Sequence, residues 1–158
     1  MRVGFGYDVH RMVAGRPLIL CGVEIPHEKG LLGHSDADVA LHALIDALLG
    51  AAGLGDIGQH FPDTDERFRD ISSLTLLEST LEKLRQGGWR VVNVDLTIVA
   101  QKPRLAPYLH LMRRRLAQAL SLSEGDVNIK AKTTEGLGFT GREEGMAAYA
   151  VALVDHAP

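Results

Sequence analysis

A chain of 158 residues is long enough for one domain with a proper core, and no stretch of it approaches the roughly 20 apolar residues of a membrane span. The formal net charge of −3, with Arg113–Arg115 as the only basic run, gives no electrostatic footprint for nucleic acid. One cysteine, Cys21, excludes an internal disulfide and, with no apolar leader-like run in the first residues, points to a reducing cytoplasm. Aromatics make up only 5% while alanine, glycine and leucine are plentiful, which suggests tight helix–sheet packing without a large aromatic core.

Arg2 to His10 alternates as a strand, with Val3, Phe5, Tyr7 and Val9 on one face and Gly4, Gly6, Asp8 and His10 on the other. The two glycines leave room on their face for a ligand or another backbone. Leu18–Leu20 and Val23–Ile25 flank Cys21–Gly22 as a small hairpin. Ser35 with Asp38 three residues on reads as a helix start, Ser35 supplying the capping hydroxyl. The helix runs from Asp38 to Ala52, where Gly53 and Gly55 end it, and a loop carrying DIGxxFPDTD follows. A second helix is predicted over Ile71–Gln86 with Gly87–Gly88 as its stop, a strand over Val91–Gln101 broken by Pro103, and a third helix over Ala106–Leu122. Val127–Lys132 is a strand leading into a glycine-rich turn, and Met146–Val154 is a final, almost wholly apolar strand. A strand apolar on both faces needs cover on both faces, and in so small a chain another subunit is a candidate cover. The order predicts a single α+β domain over residues 1–158: a mixed β-sheet with helices on one face.

Four groups of residues suggest chemistry. Asp8 and His10 project from one side of a strand about 6–7 Å apart. His42 lies on the helix stripe Asp38–His42–Asp46. Two imidazoles and a carboxylate suit zinc or a similar metal and leave a fourth position open. The spacing equally allows a polar strand end and an unrelated helix histidine. If His42 is a ligand, its second N–H needs an acceptor, for which Asp38 and Asp46 are the candidates; some 12 Å separates them along the helix, so only one can serve. The loop Asp56-Ile57-Gly58 with Phe61-Pro62-Asp63-Thr64-Asp65 offers acids and a close backbone approach, although the same residues make ordinary turns. Lys132-Thr133-Thr134-Glu135 suits a phosphate–metal pair or a plain glycine turn, and is not a P-loop. Ala100-Gln101-Lys102-Pro103-Arg104-Leu105 is a kinked strand end able to present backbone groups to a planar base. His27, His60, His110 and His156 show no partner pattern and read as surface residues.

The motifs GYDVHR (6–11), GHSDADVALHALIDALLGAAGLGDIGQHFPDTD (33–65), AQKPRL (100–105) and KTTEGLGFTGREEG (132–145), in this order and spacing, closely resemble the 2-C-methyl-D-erythritol 2,4-cyclodiphosphate synthase family. The resemblance implies an enzyme of non-mevalonate isoprenoid biosynthesis, a lyase. The 2-phosphate of 4-diphosphocytidyl-2-C-methyl-D-erythritol 2-phosphate attacks the β-phosphorus, and CMP leaves. It also implies a cytoplasmic homotrimer whose sheets pack around a threefold axis, with active sites between subunits. Carried over by position, Asp8, His10 and His42 correspond to zinc ligands and Glu135 to the ligand of magnesium or manganese. His34 and Thr133 correspond to the catalytic positions. His34 and Ser35, with Phe61 to Asp65, would contact the methylerythritol phosphate end, and Asp56, Ile57 and Gly58 the sugar hydroxyls. Ala100 to Ala106 would hold cytosine, and Lys132, Thr133, Thr134 and Glu135 the phosphates. Phe139 and Arg142 match positions where some members bind an isoprenoid diphosphate near the axis. The alternatives are a metal-dependent phosphohydrolase, or a non-catalytic trimer that carries an isoprenoid diphosphate.

Overall fold

Strand β1 runs over Arg2–Ala14, past the predicted end at His10. Its last residues pair antiparallel with β4 (Lys29–Leu32), a strand too short to leave a period in the sequence. Between them β2 (Leu18–Leu20) and β3 (Val23–Ile25) form the predicted hairpin. Cys21 and Gly22 at its tip both have positive φ, 50° and 72°, the turn geometry that matches the natural strand twist. The computed structural model describes residues 1–157.

Helix α1 (Val39–Ala52) is capped by Asp38, not by Ser35. The Asp38 carboxylate accepts the N–H of Leu41 at 3.1 Å, of Cys21 at 3.0 Å and of Gly22 at 2.7 Å. It therefore satisfies one orphan donor of the helix and fastens the hairpin tip to the helix start. Burial pushes its carboxyl up to about 6, partly offset by these donors, so it remains the anion at neutral pH. The Ser35 hydroxyl instead accepts the N–H of Ala37, 3.2 Å away, in a local turn. α1 ends at Gly53, in the left-handed conformation at φ 72°.

α2 (Ile57–His60) is a single turn inside the predicted loop. α3 (Ser73–Gln86) starts later than predicted because the Ser72 hydroxyl caps the N–H of Leu74, while the Ile71 carbonyl turns to the N–H of Asp36. β5 (Trp89–Val99) is followed by a 3₁₀ turn at Ala106–Tyr108, which delays α4 (Leu109–Leu120). β6 (Val127–Lys132), the short α5 (Gly138–Gly141) and β7 (Gly145–His156) complete the chain.

The five-stranded sheet has the order β4-β1-β7-β5-β6, and only β5 and β6 run parallel, so the predicted mixed α+β architecture holds. α1 packs on β1, β7 and β5, α3 on β5 and α4 on β6. The face they cover carries Gly4 and Gly6 of β1 and the fully buried Ala148, Ala150 and Ala152 of β7. A Cβ at Gly6 would lie 1.9 Å from the carbonyl oxygen of Ala43, and one at Gly4 equally close to that of Ala47. The room left by the glycines is thus taken by the backbone of α1. The opposite face carries Val3, Phe5, Tyr7, Val9, Tyr149 and Val151, all exposed, with the rings of Tyr7 and Tyr149 5.0 Å apart.

Candidate metal centre and active-site cavity

The close approach of α1 to β1 sets His42 over Asp8 and His10. Asp8 Oδ2 lies 2.9 Å from Nδ1 of His10 and 3.3 Å from Nδ1 of His42. The three ligand atoms fall within 4.8 Å of one another. Asp8 Oδ2 and His10 Nδ1 are buried and make no hydrogen bond. Buried polar atoms without partners are uncommon, and two of them converging with a third ligand atom, from His42, fit a cation. Ligands at about 2.0–2.2 Å in a tetrahedron stand roughly 3.3 Å apart, close to the spacings here. Burial would raise the Asp8 carboxyl, but the His10 and His42 imidazoles outweigh it and hold it below the usual range. Burial likewise opposes charge on His42, and the Asp8 carboxylate more than offsets this, raising the imidazole.

Neither Asp38 nor Asp46 orients His42. Asp38 is occupied by the three N–H groups described above, and Asp46 Oδ1 accepts the N–H of Ile57 at 2.7 Å, which fixes the start of α2. The ring's Nε2 lies 2.9 Å from Ser73 Oγ and 3.2 Å from Ser35 Oγ. Ser73 is hidden in the sequence because its contact with His42 crosses 31 positions and depends on how α3 enters the fold.

A cavity of about 390 Å³ opens beside the triad. Its walls bring together His10, His34, Ser35, His42, Ile57, Gly58, Phe61, Pro62 and Asp63, so residues from the first two motifs meet; Phe68 and Leu76, not singled out in the sequence, join them. His34 Nε2 lies 2.9 Å from the carbonyl oxygen of Asp65, which ties the two loop ends together. The Asp65 carboxylate is held by Arg67 at 2.6 Å, and Asp56 caps α2 through the N–H of Gln59. Thr64 is exposed.

A second hollow, about 250 Å³, is lined by Ala100, Gln101, Pro103, Arg104, Leu105, Ala106, Lys132 and Thr133, among others. Gln101 Oε1 accepts the N–H of Gly136 at 3.1 Å, and Thr133 Oγ1 that of Glu135 at 3.3 Å, which shapes the turn. Thr134 directs its hydroxyl to the Leu137 carbonyl and to Thr140, inside the loop. Glu135, Phe139 and Arg142 are exposed, and Arg142 pairs with Glu144 at 3.1 Å. Lys102 Nζ lies 3.5 Å from Glu143. The register sets Asp8 level with Ala148, Ile98 and Ala131 across the sheet. Three strand spacings, about 14 Å, therefore separate the triad from the strand that ends at Lys132, just before Thr133.

The sequence pattern of the YgbB family matches residues 1–155. The chain belongs to the YgbB family. It is 64% identical over 154 residues to the 2-C-methyl-D-erythritol 2,4-cyclodiphosphate synthase of Syntrophobacter fumaroxidans, covering 98% of this chain and 97% of that one. Among solved structures it is similar to a 2-C-methyl-D-erythritol 2,4-cyclodiphosphate synthase in a CDP-bound form, with TM-score 0.90 and 40% identity over 98% of this chain and 100% of the other. It also resembles the bifunctional IspDF from Campylobacter jejuni, with TM-score 0.94 and 45% identity; there 98% of this chain matches 42% of that longer one. No described helix of this YgbB-family chain is long and apolar enough to cross a membrane.

Of the remaining histidines in this family member, His60 is half-buried, with Nε2 2.7 Å from the Leu54 carbonyl, while His156 is exposed as expected and stacks on Trp89 with centroids 4.1 Å apart. At the triad, charge sets a pH dependence. The raised His42 stabilises the metal-free fold fully below its ordinary 6.5, and that contribution is lost as pH rises through its folded value. The lowered Asp8 contributes above its ordinary 3.8, and that contribution is lost as pH falls through its folded value. The metal-free pair is thus at its best between those limits. A metal needs neutral imidazole, so its affinity climbs over the range where the pair weakens. Thermal midpoints of chelator-stripped and zinc-loaded protein are expected to diverge as pH rises from about 6 to 8. A constant gap would separate the metal from these two groups.

Proposed function

We propose that this chain converts 4-diphosphocytidyl-2-C-methyl-D-erythritol 2-phosphate to 2-C-methyl-D-erythritol 2,4-cyclodiphosphate with release of CMP. The observation that carries the reading is the triad of converging ligand atoms beside a cavity lined by motif residues, in a chain 64% identical to a synthase of that name. An oxygen of the 2-phosphate forms a bond to the β-phosphorus; the bond from that phosphorus to the bridging oxygen breaks, and CMP takes that oxygen and its electron pair. Phosphoryl transfer of this kind needs positioning and charge stabilisation more than a protein nucleophile, and the tethered phosphate makes it intramolecular.

In this reading Asp8, His10 and His42 hold zinc, and Glu135 holds magnesium or manganese. When bound, these cations supply positive charge to the phosphate oxygens. His34, Ser35 and the wall from Phe61 to Asp65 hold the methylerythritol phosphate end, and Asp56, Ile57 and Gly58 its hydroxyls. The hollow from Ala100 to Ala106 takes the cytosine. Lys132, Thr133 and Thr134 take the phosphates, and His34 and Thr133 stabilise the transition state.

The 14 Å between the two halves supports a site completed by a second copy, because one chain does not bring its metal triad and its base pocket together. The exposed Val3–Phe5–Tyr7–Tyr149–Val151 face supports a homotrimer with sheets packed about a threefold axis. Phe139 and Arg142 would then lie near that axis, suited to an isoprenoid diphosphate. The lone buried thiol of Cys21, pushed up by burial and so inert, fits a cytoplasmic location.

The deciding assay gives purified protein the cytidyl substrate with and without chelator. Metal-dependent CMP release with the cyclic diphosphate is the expected result. Inorganic phosphate from simple esters would favour a phosphohydrolase. Intact substrate from a metal-loaded trimer would favour a binding protein.

A further inference from the structure

Which nitrogen of His42 faces an ion depends on what its other nitrogen meets. The ring's far side meets Ser73, which lies outside the four motifs, and Ser73 is held by Asp36, a residue of the second motif with no assigned role. Ser73 is fully buried, and its Oγ lies 2.9 Å from His42 Nε2. The same hydroxyl donates to Asp36 Oδ1 in a short hydrogen bond, and the Ser73 N–H donates to Asp36 Oδ2 at 3.0 Å. Asp36 thus spans the first residue of α3, where backbone N–H groups have no partner within the helix. The Asp38 N–H adds a further donor at 3.2 Å.

A serine hydroxyl has one proton, and an ionised carboxylate only accepts. With that proton committed to Asp36, Ser73 Oγ can only accept from His42. A lone pair on Nε2 would then face oxygen lone pairs at 2.9 Å in a buried site, an unmade hydrogen bond of the costly kind. Ser35 Oγ, 3.2 Å from the same nitrogen, can share the Nε2 proton as a second acceptor. The opposite nitrogen, Nδ1, lies 3.3 Å from the buried Asp8 Oδ2, a longer contact than that of Nε2 with Ser73. The hydrogen bonds behind the ring therefore place a proton on Nε2 and leave Nδ1 to the ligand cluster.

We propose that Ser73 and Asp36 are positioning residues: they fix neutral His42 as the Nε2–H tautomer, so that its Nδ1 lone pair joins Asp8 and His10 as a metal ligand. This deepens the metal-centre reading and rests on it for the ligand role. It also assigns a task to the contact between the 33–38 loop and the start of α3. A ligand histidine needs an oriented acceptor behind it, and here the acceptor is a serine whose own direction a carboxylate sets.

The test begins with the unaltered protein. Histidine nitrogen NMR on chelator-stripped protein, at a pH where His42 is neutral, is expected to show a protonated Nε2 and a pyridine-like Nδ1. The reverse pattern would overturn the proposal without any variant. Asp36→Asn then keeps the volume but places an amide where one of the two Ser73 donors needs an acceptor. It is expected to mix the tautomers and to weaken zinc binding by roughly ten- to a hundredfold in chelator competition. Ser73→Ala removes the acceptor and is expected to weaken zinc by a similar factor. Circular dichroism and thermal midpoints establish that each variant is folded. Folded variants with unchanged zinc affinity and an unchanged His42 nitrogen pattern would overturn the proposal. Failure of the unaltered protein to bind zinc would instead defeat the metal-centre reading, while the nitrogen shifts still decide the tautomer.

Discussion

His42→Ala is expected to lower turnover of the cytidyl substrate by about a thousandfold or more while the protein remains folded. The ring supplies one of three converging ligand atoms, and its removal leaves Asp8 and His10 two short of a tetrahedron. A cation stabilising the transferring phosphoryl oxygens contributes several kcal/mol, and each ~1.4 kcal/mol is a factor of ten in rate. The structural cost is smaller. His42 packs at the cavity edge, and its hydrogen bonds are to the Ser35 and Ser73 hydroxyls, which water can replace beside an open cavity. Steady-state kinetics with metal analysis and a thermal scan check both halves. Near-full activity without bound zinc would remove His42 from the centre.

Gly6→Ala is expected to have the largest effect on the fold, about 3 kcal/mol or more. Its new Cβ would sit 1.9 Å from the Ala43 carbonyl oxygen and 2.8 Å from the Ala47 nitrogen. These are helix backbone atoms, so no rotamer relieves the contact and α1 must lift from β1. For a domain of this size the thermal midpoint should drop by roughly 6–12 °C. Lifting α1 also moves His42 away from Asp8, so metal affinity should fall with stability. Gly50, on the exposed side of the same helix, has nothing within 4 Å of an added Cβ. Gly50→Ala is expected to stabilise by up to about 1 kcal/mol through helix propensity alone. Equal effects at the two glycines would mean that α1 does not seat on the glycine face.

Elements with a strong period are legible in the sequence. The alternation in β1 and β5 and the 3.6-residue repeats of α1, α3 and α4 read correctly, with ends off by a few residues. β4, α2 and α5 are not legible, because elements of four residues carry no period and exist only through partners elsewhere. The cap of α1 reads wrongly for a related reason. Ser35 and Asp38 are both capping residues by type; the N–H groups of Cys21 and Gly22, seventeen and sixteen positions away, make Asp38 the one the fold can use.

The site divides in the same way. Residue types and local spacing are enough to single out Asp8 and His10 as one strand face and His42 as a ligand candidate, because the geometry of a strand or a helix turn is set by neighbours in sequence. That His42 folds back onto them is decided by two bare glycines and a run of alanines that let α1 sit against the sheet. That its outer nitrogen meets Ser73, itself held by Asp36, and not Asp38 or Asp46, is decided by where α3 starts and by which carboxylates other N–H groups have already claimed. Sequence by itself determined the donor set; the tertiary structure decided the competition among acceptors, since a hydrogen bond between distant residues depends on every other donor within reach.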